Sequence, residues 1–106
     1  MSAAAWEKTI KTAALRELSV TAVFPKGLPV LLIRRTGMEI YALANKCAHM
    51  GCPLARGSLD GYLLRCPCHD WTFDIRTGEL AAAPEIKLPV YEWRIDGEHI
   101  HIRIQP

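Results

Sequence analysis

The chain lacks any hydrophobic stretch able to cross a bilayer as a helix. Its longest apolar run, Leu28 to Ile33, falls far short of the roughly 20 residues such a helix needs, and Pro29 interrupts it. A signal peptide is missing too. Glu7, Lys8, Lys11, Arg16 and Glu17 break up the first segment, so neither a leader nor an anchor is expected, and the expected location is the cytoplasm. Charge is not clustered: 13 Lys and Arg are scattered against 11 Asp and Glu, for a net charge of +2. That gives no support to nucleic-acid binding. There is no internal repeat and no low-complexity tract. Helix signals are scarce. Ala3 to Leu18 contains good helix formers, but Thr9, Ile10 and Thr12 interrupt them, and at most a short helical turn fits there.

What remains is an ordinary globular balance, 50% hydrophobic and 23% charged in 106 residues, which suits a single domain over 1–106 with a modest core. Strand signals dominate. Pro29 to Arg34 is rich in branched residues, Thr36-Gly37 turns the chain, and Met38 to Leu43 reads as the hairpin partner. Tyr62 to Arg65 and Trp71 to Ile75 are further short strands. Val90 to Ile95 and His99 to Ile104 flank Asp96-Gly97, a tight-hairpin signal. In the last strand Ile100, Ile102 and Ile104 share one face, expected to be the core side, and His99, His101 and Arg103 share the other. Short strands with frequent turns predict an all-β sandwich or barrel. Between Leu43 and Pro89 cysteine, histidine, glycine and proline concentrate, as expected of a site-bearing subdomain, about 44–88, inserted into a rigid base.

Four cysteines in a cytoplasmic chain point to metal or redox chemistry before disulfides. Cys47-Ala48-His49 offers a thiolate and an imidazole two positions apart. After sixteen residues Cys66-Pro67-Cys68-His69 offers the same pair three positions apart. Tight loops with these steps can aim both side chains at one point. Spacing leaves two candidates open. Zinc accepts mixed Cys and His ligands, and Cys47 with Cys52 can be read as a knuckle. An iron–sulfur cluster is the other.

The residues resemble a known family. Cys47-Ala48-His49-Met50-Gly51-Cys52-Pro53-Leu54 looks like the first box of the Rieske cluster motif, and Cys66-Pro67-Cys68-His69-Asp70-Trp71-Thr72-Phe73-Asp74 like the second. Tyr41-Ala42-Leu43, Gly57-Ser58-Leu59 and Thr77-Gly78 match the surroundings, so the resemblance runs from about 28 to 104. It implies an antiparallel β-sandwich base with an inserted two-loop cluster-binding subdomain. It further implies one [2Fe–2S] cluster held by Cys47 and Cys66 on a buried iron and by His49 and His69 on the outer, reducible one. Cys52 and Cys68 match positions that form a disulfide in membrane-bound relatives, and burial behind the cluster would shield such a bond. By the same resemblance the chain is an electron carrier rather than an enzyme. It would be a monomeric ferredoxin taking electrons from a flavin-containing reductase to a terminal oxygenase or another oxidoreductase, with no nucleic acid and no membrane. Two alternatives stand beside it: a small Rieske-like subunit of a nitrite reductase, whose members often lack the ligands found here, and a zinc-stabilised interaction module. An oxygenase is excluded, because after Ile75 only a hairpin is expected, with no room for a second iron centre.

The sequence also departs from the family. Trp71 and Phe73 stand where high-potential relatives carry hydroxyls, and Asp70 replaces the usual glycine. Plainer roles are expected elsewhere. Trp6, Tyr91 and Trp93 pack, Trp71 packs beside the second loop, Arg34-Arg35 is a solvated strand end, and His99 and His101 face outward. Met50, Pro53, Leu54, Ala82 and Pro84 are candidates for an apolar rim around the exposed imidazoles.

Overall fold

The computed structural model describes residues 5–46, 54–68 and 71–104. The strands are β1 (Ala5–Lys11), β2 (Ser19–Val23), β3 (Val30–Arg34), β4 (Ile40–Ala44), β5 (Ser58–Asp60), β6 (Leu63–Arg65), β7 (Thr72–Asp74), β8 (Glu79–Leu80), β9 (Ala83–Lys87), β10 (Val90–Tyr91), β11 (Trp93–Asp96) and β12 (His99–Ile104). They form three antiparallel sheets in the orders β1-β12-β11, β10-β4-β3-β2 and β5-β6-β7-β8-β9. The helical segments among the described residues are three-residue 3-10 turns.

The middle sheet is buried on both faces, and β3 shows why its sequence is a continuous apolar run rather than an alternation. Val30 and Leu32 point into one core with Leu15, Ile40, Ala42, Ile100 and Ile102. Leu31 and Ile33 point into a second core with Leu43, Leu54, Leu64, Phe73, Ile75 and Leu80. The first core joins the middle sheet to β1-β12-β11, and the second joins it to the five-stranded sheet. Ile100 and Ile102 lie on the core side, both fully buried. Both expected hairpins form, β3 with β4 and β11 with β12, with positive φ at Gly37 (60°) and Gly97 (68°).

The N-terminus differs from expectation. The helical turn is there, at Thr12–Ala14, but Ala5–Lys11 is a strand, paired along β12 from Ala5↔Ile104 to Lys11↔His99. Local propensity favoured helix; the open edge of β12 decided otherwise by supplying backbone partners and a core for Ile10. The segment after Ile75 holds more than a hairpin, since β8 and β9 complete the five-stranded sheet and β10 crosses to β4. Arg34-Arg35 is not a solvated strand end. Arg34 donates from Nη1 to the Leu15 carbonyl (2.8 Å), and Arg35 pairs with Glu39 at 3.1 Å.

Candidate metal centre

The first predicted loop leaves the end of β4, and its two stems are tied together by one side chain. Asn45 is 7% exposed, and its Oδ1 accepts from the backbone N–H of Leu54 (2.7 Å) and of Ala55 (3.1 Å). Its own N–H donates to the Pro29 carbonyl at 3.1 Å, and the preceding Ala44 N–H to Pro89 at 3.0 Å, fastening the stem to the base. The loop's exit then turns at Gly57. A Cβ there would stand 2.2 Å from the Arg65 carbonyl oxygen, so a residue without a side chain is required where the exit crosses the strand leading into Cys66. Through this contact the stems of the two loops lie side by side.

Cys66 begins the second loop from inside the core. It is 1% exposed and packs in the same cluster as Leu54, Leu64 and Phe73. Its N–H donates to the Trp71 carbonyl at 2.8 Å, closing 66–71 into a short loop. Trp71 is half-buried, with its ring edge-on to Phe73 at 6.4 Å between centroids. Phe73 is fully buried, opposite Leu64 across the β6–β7 pair. Pro67 and Cys68 are exposed, so Cys68 does not have the burial expected to shield its sulfur.

Cys47, His49, Cys52 and His69 lie outside the described residues, as do Met50, Pro53 and Asp70. Of the expected ligands, the structure therefore places Cys66. The donor chemistry fits a cluster there. A thiolate so deeply buried is costly without a compensating cation, and the stem residues Asn45 and Leu54 of the first loop lie beside the strand that leads into Cys66. Among the described residues no group of three or more metal-ligating side chains forms, and His99 and His101 join none.

The far ends of the same strands carry a different cluster. The Tyr62 ring lies between two guanidinium groups, Arg35 at 4.0 Å and Arg76 at 4.2 Å, and meets Tyr41 edge-on at 6.3 Å. Arg76 is held by Asp74 (2.8 Å), whose carboxyl it keeps below the usual carboxylate range. This clamp fastens the hairpin β5–β6 to the middle sheet. Sequence reasoning missed it, because its members are far apart in the chain. It missed Asn45 as well, although a polar residue ending an apolar strand just before a Cys-x-His pair is a readable signal.

Fold and stems together define an all-β protein in which a rigid base presents two loops carrying thiolate and imidazole donors. The chain belongs to the Rieske [2Fe–2S] domain family, whose model matches residues 5–92. Its cofactor is accordingly a Rieske-type [2Fe–2S] cluster. Such a group gains and loses one electron, and its two neutral imidazoles raise the potential above that of all-thiolate clusters. The chain is 39% identical over 75 residues to human apoptosis-inducing factor 3, but it spans only 12% of that protein's length. It is 34% identical to the ferredoxin component of a naphthalene 1,2-dioxygenase system from Pseudomonas aeruginosa, covering 91% of this chain and 95% of the relative. Among solved structures it resembles a chain in the complex of reduced oxygenase and oxidised ferredoxin of carbazole 1,9a-dioxygenase, at TM-score 0.80 and 27% identity over 92% of each chain. A chain assigned as an NADH-dependent nitrite reductase small subunit from Mycobacterium tuberculosis superposes at TM-score 0.88 over 99% of each chain; at 19% identity this shows the fold alone. No helix among the described residues is long and apolar enough to cross a membrane.

Proposed function

We propose that this chain is a Rieske ferredoxin that takes single electrons from a flavin-containing reductase and delivers them to a terminal oxygenase or another oxidoreductase. In this reading Cys47, His49, Cys66 and His69 hold the cluster, within a single domain over 1–106 whose cluster-binding part spans about 44–88. The chain works as a cytoplasmic monomer with transient partners. The observation that carries the reading is the pair of adjacent loop stems, locked by Asn45 and Gly57, with the Cys66 thiol buried between strand and loop. The likeness to an oxygenase-system ferredoxin along nearly the whole of that relative supports a carrier. A Cys52–Cys68 bridge belongs to the same reading. Its support is positional: each of these cysteines stands beside an expected ligand in its own loop.

The test is chemical and kinetic. Anaerobically purified protein should be red-brown and hold two irons and two labile sulfides per chain, as the [2Fe–2S] formula requires. In stopped flow, a panel of flavoprotein reductases should include one that reduces it in a single one-electron phase. Stoichiometric zinc without labile sulfide, or no reduction by any member of the panel, would refute the carrier.

A further inference from the structure

The whole chain carries 13 Lys and Arg against 11 Asp and Glu. Three of those cations, Lys46, Arg56 and Arg65, flank the two loops, and the one acid within 46–56 or 65–71 is Asp70. The remainder of the chain holds equal numbers of each sign, so the net charge of +2 resides at the loops. The fold concentrates it further. Asn45 binds the backbone of Leu54 and Ala55, which brings Lys46 at the loop's start and Arg56 at its exit to the same stem. Gly57 presses that stem against the Arg65 carbonyl. Lys46 and Arg56 are exposed, and neither has a carboxylate partner among the described residues. The cations that do pair with acids among the described residues include Lys26, Arg35, Arg76, Lys87 and Arg103, and none of these five lies within 46–56 or 65–71.

From this we infer that Lys46 and Arg56 form a positive collar at the base of the cluster loops that selects a redox partner with an acidic surface around its own centre. The inference rests on the proposed carrier function and adds the sign of the partner's face. Exposed like charges act mainly on encounter: they raise the association rate with an oppositely charged surface and lose that effect as salt screens them. The cluster does not cancel the collar: two ferric ions, two sulfides, two thiolates and two neutral imidazoles sum to zero charge, and reduction adds one negative charge against the two positive ones of Lys46 and Arg56.

Small outer-sphere oxidants of opposite sign read this collar without a known partner. Each takes one electron from the reduced cluster: ferricyanide becomes ferrocyanide, and tris(phenanthroline)cobalt(III) becomes the cobalt(II) complex, with no proton moved. The dithionite-reduced holoprotein should react with ferricyanide at a rate that falls as salt rises, and with the cobalt complex at a rate that rises. Replacing Lys46→Glu and Arg56→Glu together should slow ferricyanide by about tenfold at low ionic strength and speed the cobalt complex. The Lys46→Gln, Arg56→Gln pair should lie between. Redox-inert hexacyanocobaltate(III) should bind the wild-type protein in calorimetry and compete with ferricyanide, and should bind the charge-reversed variant more weakly. The visible spectrum serves as the control for an intact cluster, and the midpoint of each variant is measured so that a change in driving force, which slows or speeds both oxidants alike, is separated from the opposite changes the collar requires. Equal salt slopes for both oxidants, or charge reversal that leaves the rate ratio unchanged, would overturn the collar while leaving the carrier function standing. Failure to load a reducible cluster would instead overturn the carrier reading.

Discussion

The Oδ1 of Asn45 receives the backbone N–H of Leu54 at 2.7 Å, and this bond spans the whole first loop between its two stems. It is a buried acceptor matched to buried donors, which makes it expensive to remove. Asn45→Ala strands the N–H groups of Leu54 and Ala55, at about 1–3 kcal/mol for an unsatisfied buried group. The variant should bind its cluster but lose it faster on warming, followed by bleaching of the visible absorbance. A bleaching rate equal to wild type would show that the clamp does not hold the loop.

The proposed Cys52–Cys68 bridge closes a loop of about 16 residues, worth about 3 kcal/mol in the chain-entropy model. Because Cys68 is exposed, a mild thiol reductant should reach it in the folded protein. Alkylation before denaturation, followed by intact mass analysis, should leave both thiols unmodified without reductant and label both after mild reduction. Labelling of both in untreated, freshly isolated holoprotein would rule the bridge out.

The potential should lie in the lower half of the family range of roughly −150 to +300 mV. An indole and a phenyl ring, Trp71 and Phe73, stand where high-potential relatives have hydroxyls, and a hydrogen bond to sulfur stabilises the reduced state. Phe73 is fully buried in the same core cluster as Cys66, so Phe73→Tyr introduces a hydroxyl that must find a partner there. If that partner is a sulfur, film voltammetry should show the midpoint rising. A wild-type midpoint near the top of the range at neutral pH would contradict the argument.

Alkaline titration should report the clamp at the other end of the strands. Burial first, and then its hydrogen bond to the Glu39 carboxylate, push the Tyr41 phenol from 10.0 up to about 12. The same hydrogen bond is the largest cause holding the Glu39 carboxyl below its usual value. For Tyr41 the folded pKa is raised, so its contribution to stability is complete below pH 10 and is lost between about 10 and 12. For Glu39 the sign is opposite: its contribution is present at neutral pH and lost as pH falls through its lowered value. Tyrosinate absorbance should show a step near 12 that Tyr41→Phe removes. Ionisation of Tyr41 near 10 in the folded protein would contradict the coupling to Glu39.

The all-β class and the β3–β4 and β11–β12 hairpins were legible from residue types and spacing. These are local signals: turn glycines and runs of branched residues need no knowledge of distant partners. The strand Ala5–Lys11 was not legible, because its own residues gave no strand signal and its reason for being extended is the edge of β12, nearly the full chain away. The same holds for Arg35, which reads as a solvated charge and is in fact stacked on Tyr62, and for Gly57, whose lack of a side chain is required by the carbonyl of Arg65. Tertiary structure alone decided which residues bring the two loop stems together, because hydrogen bonds and close backbone approaches between segments distant in sequence leave no periodic trace in it.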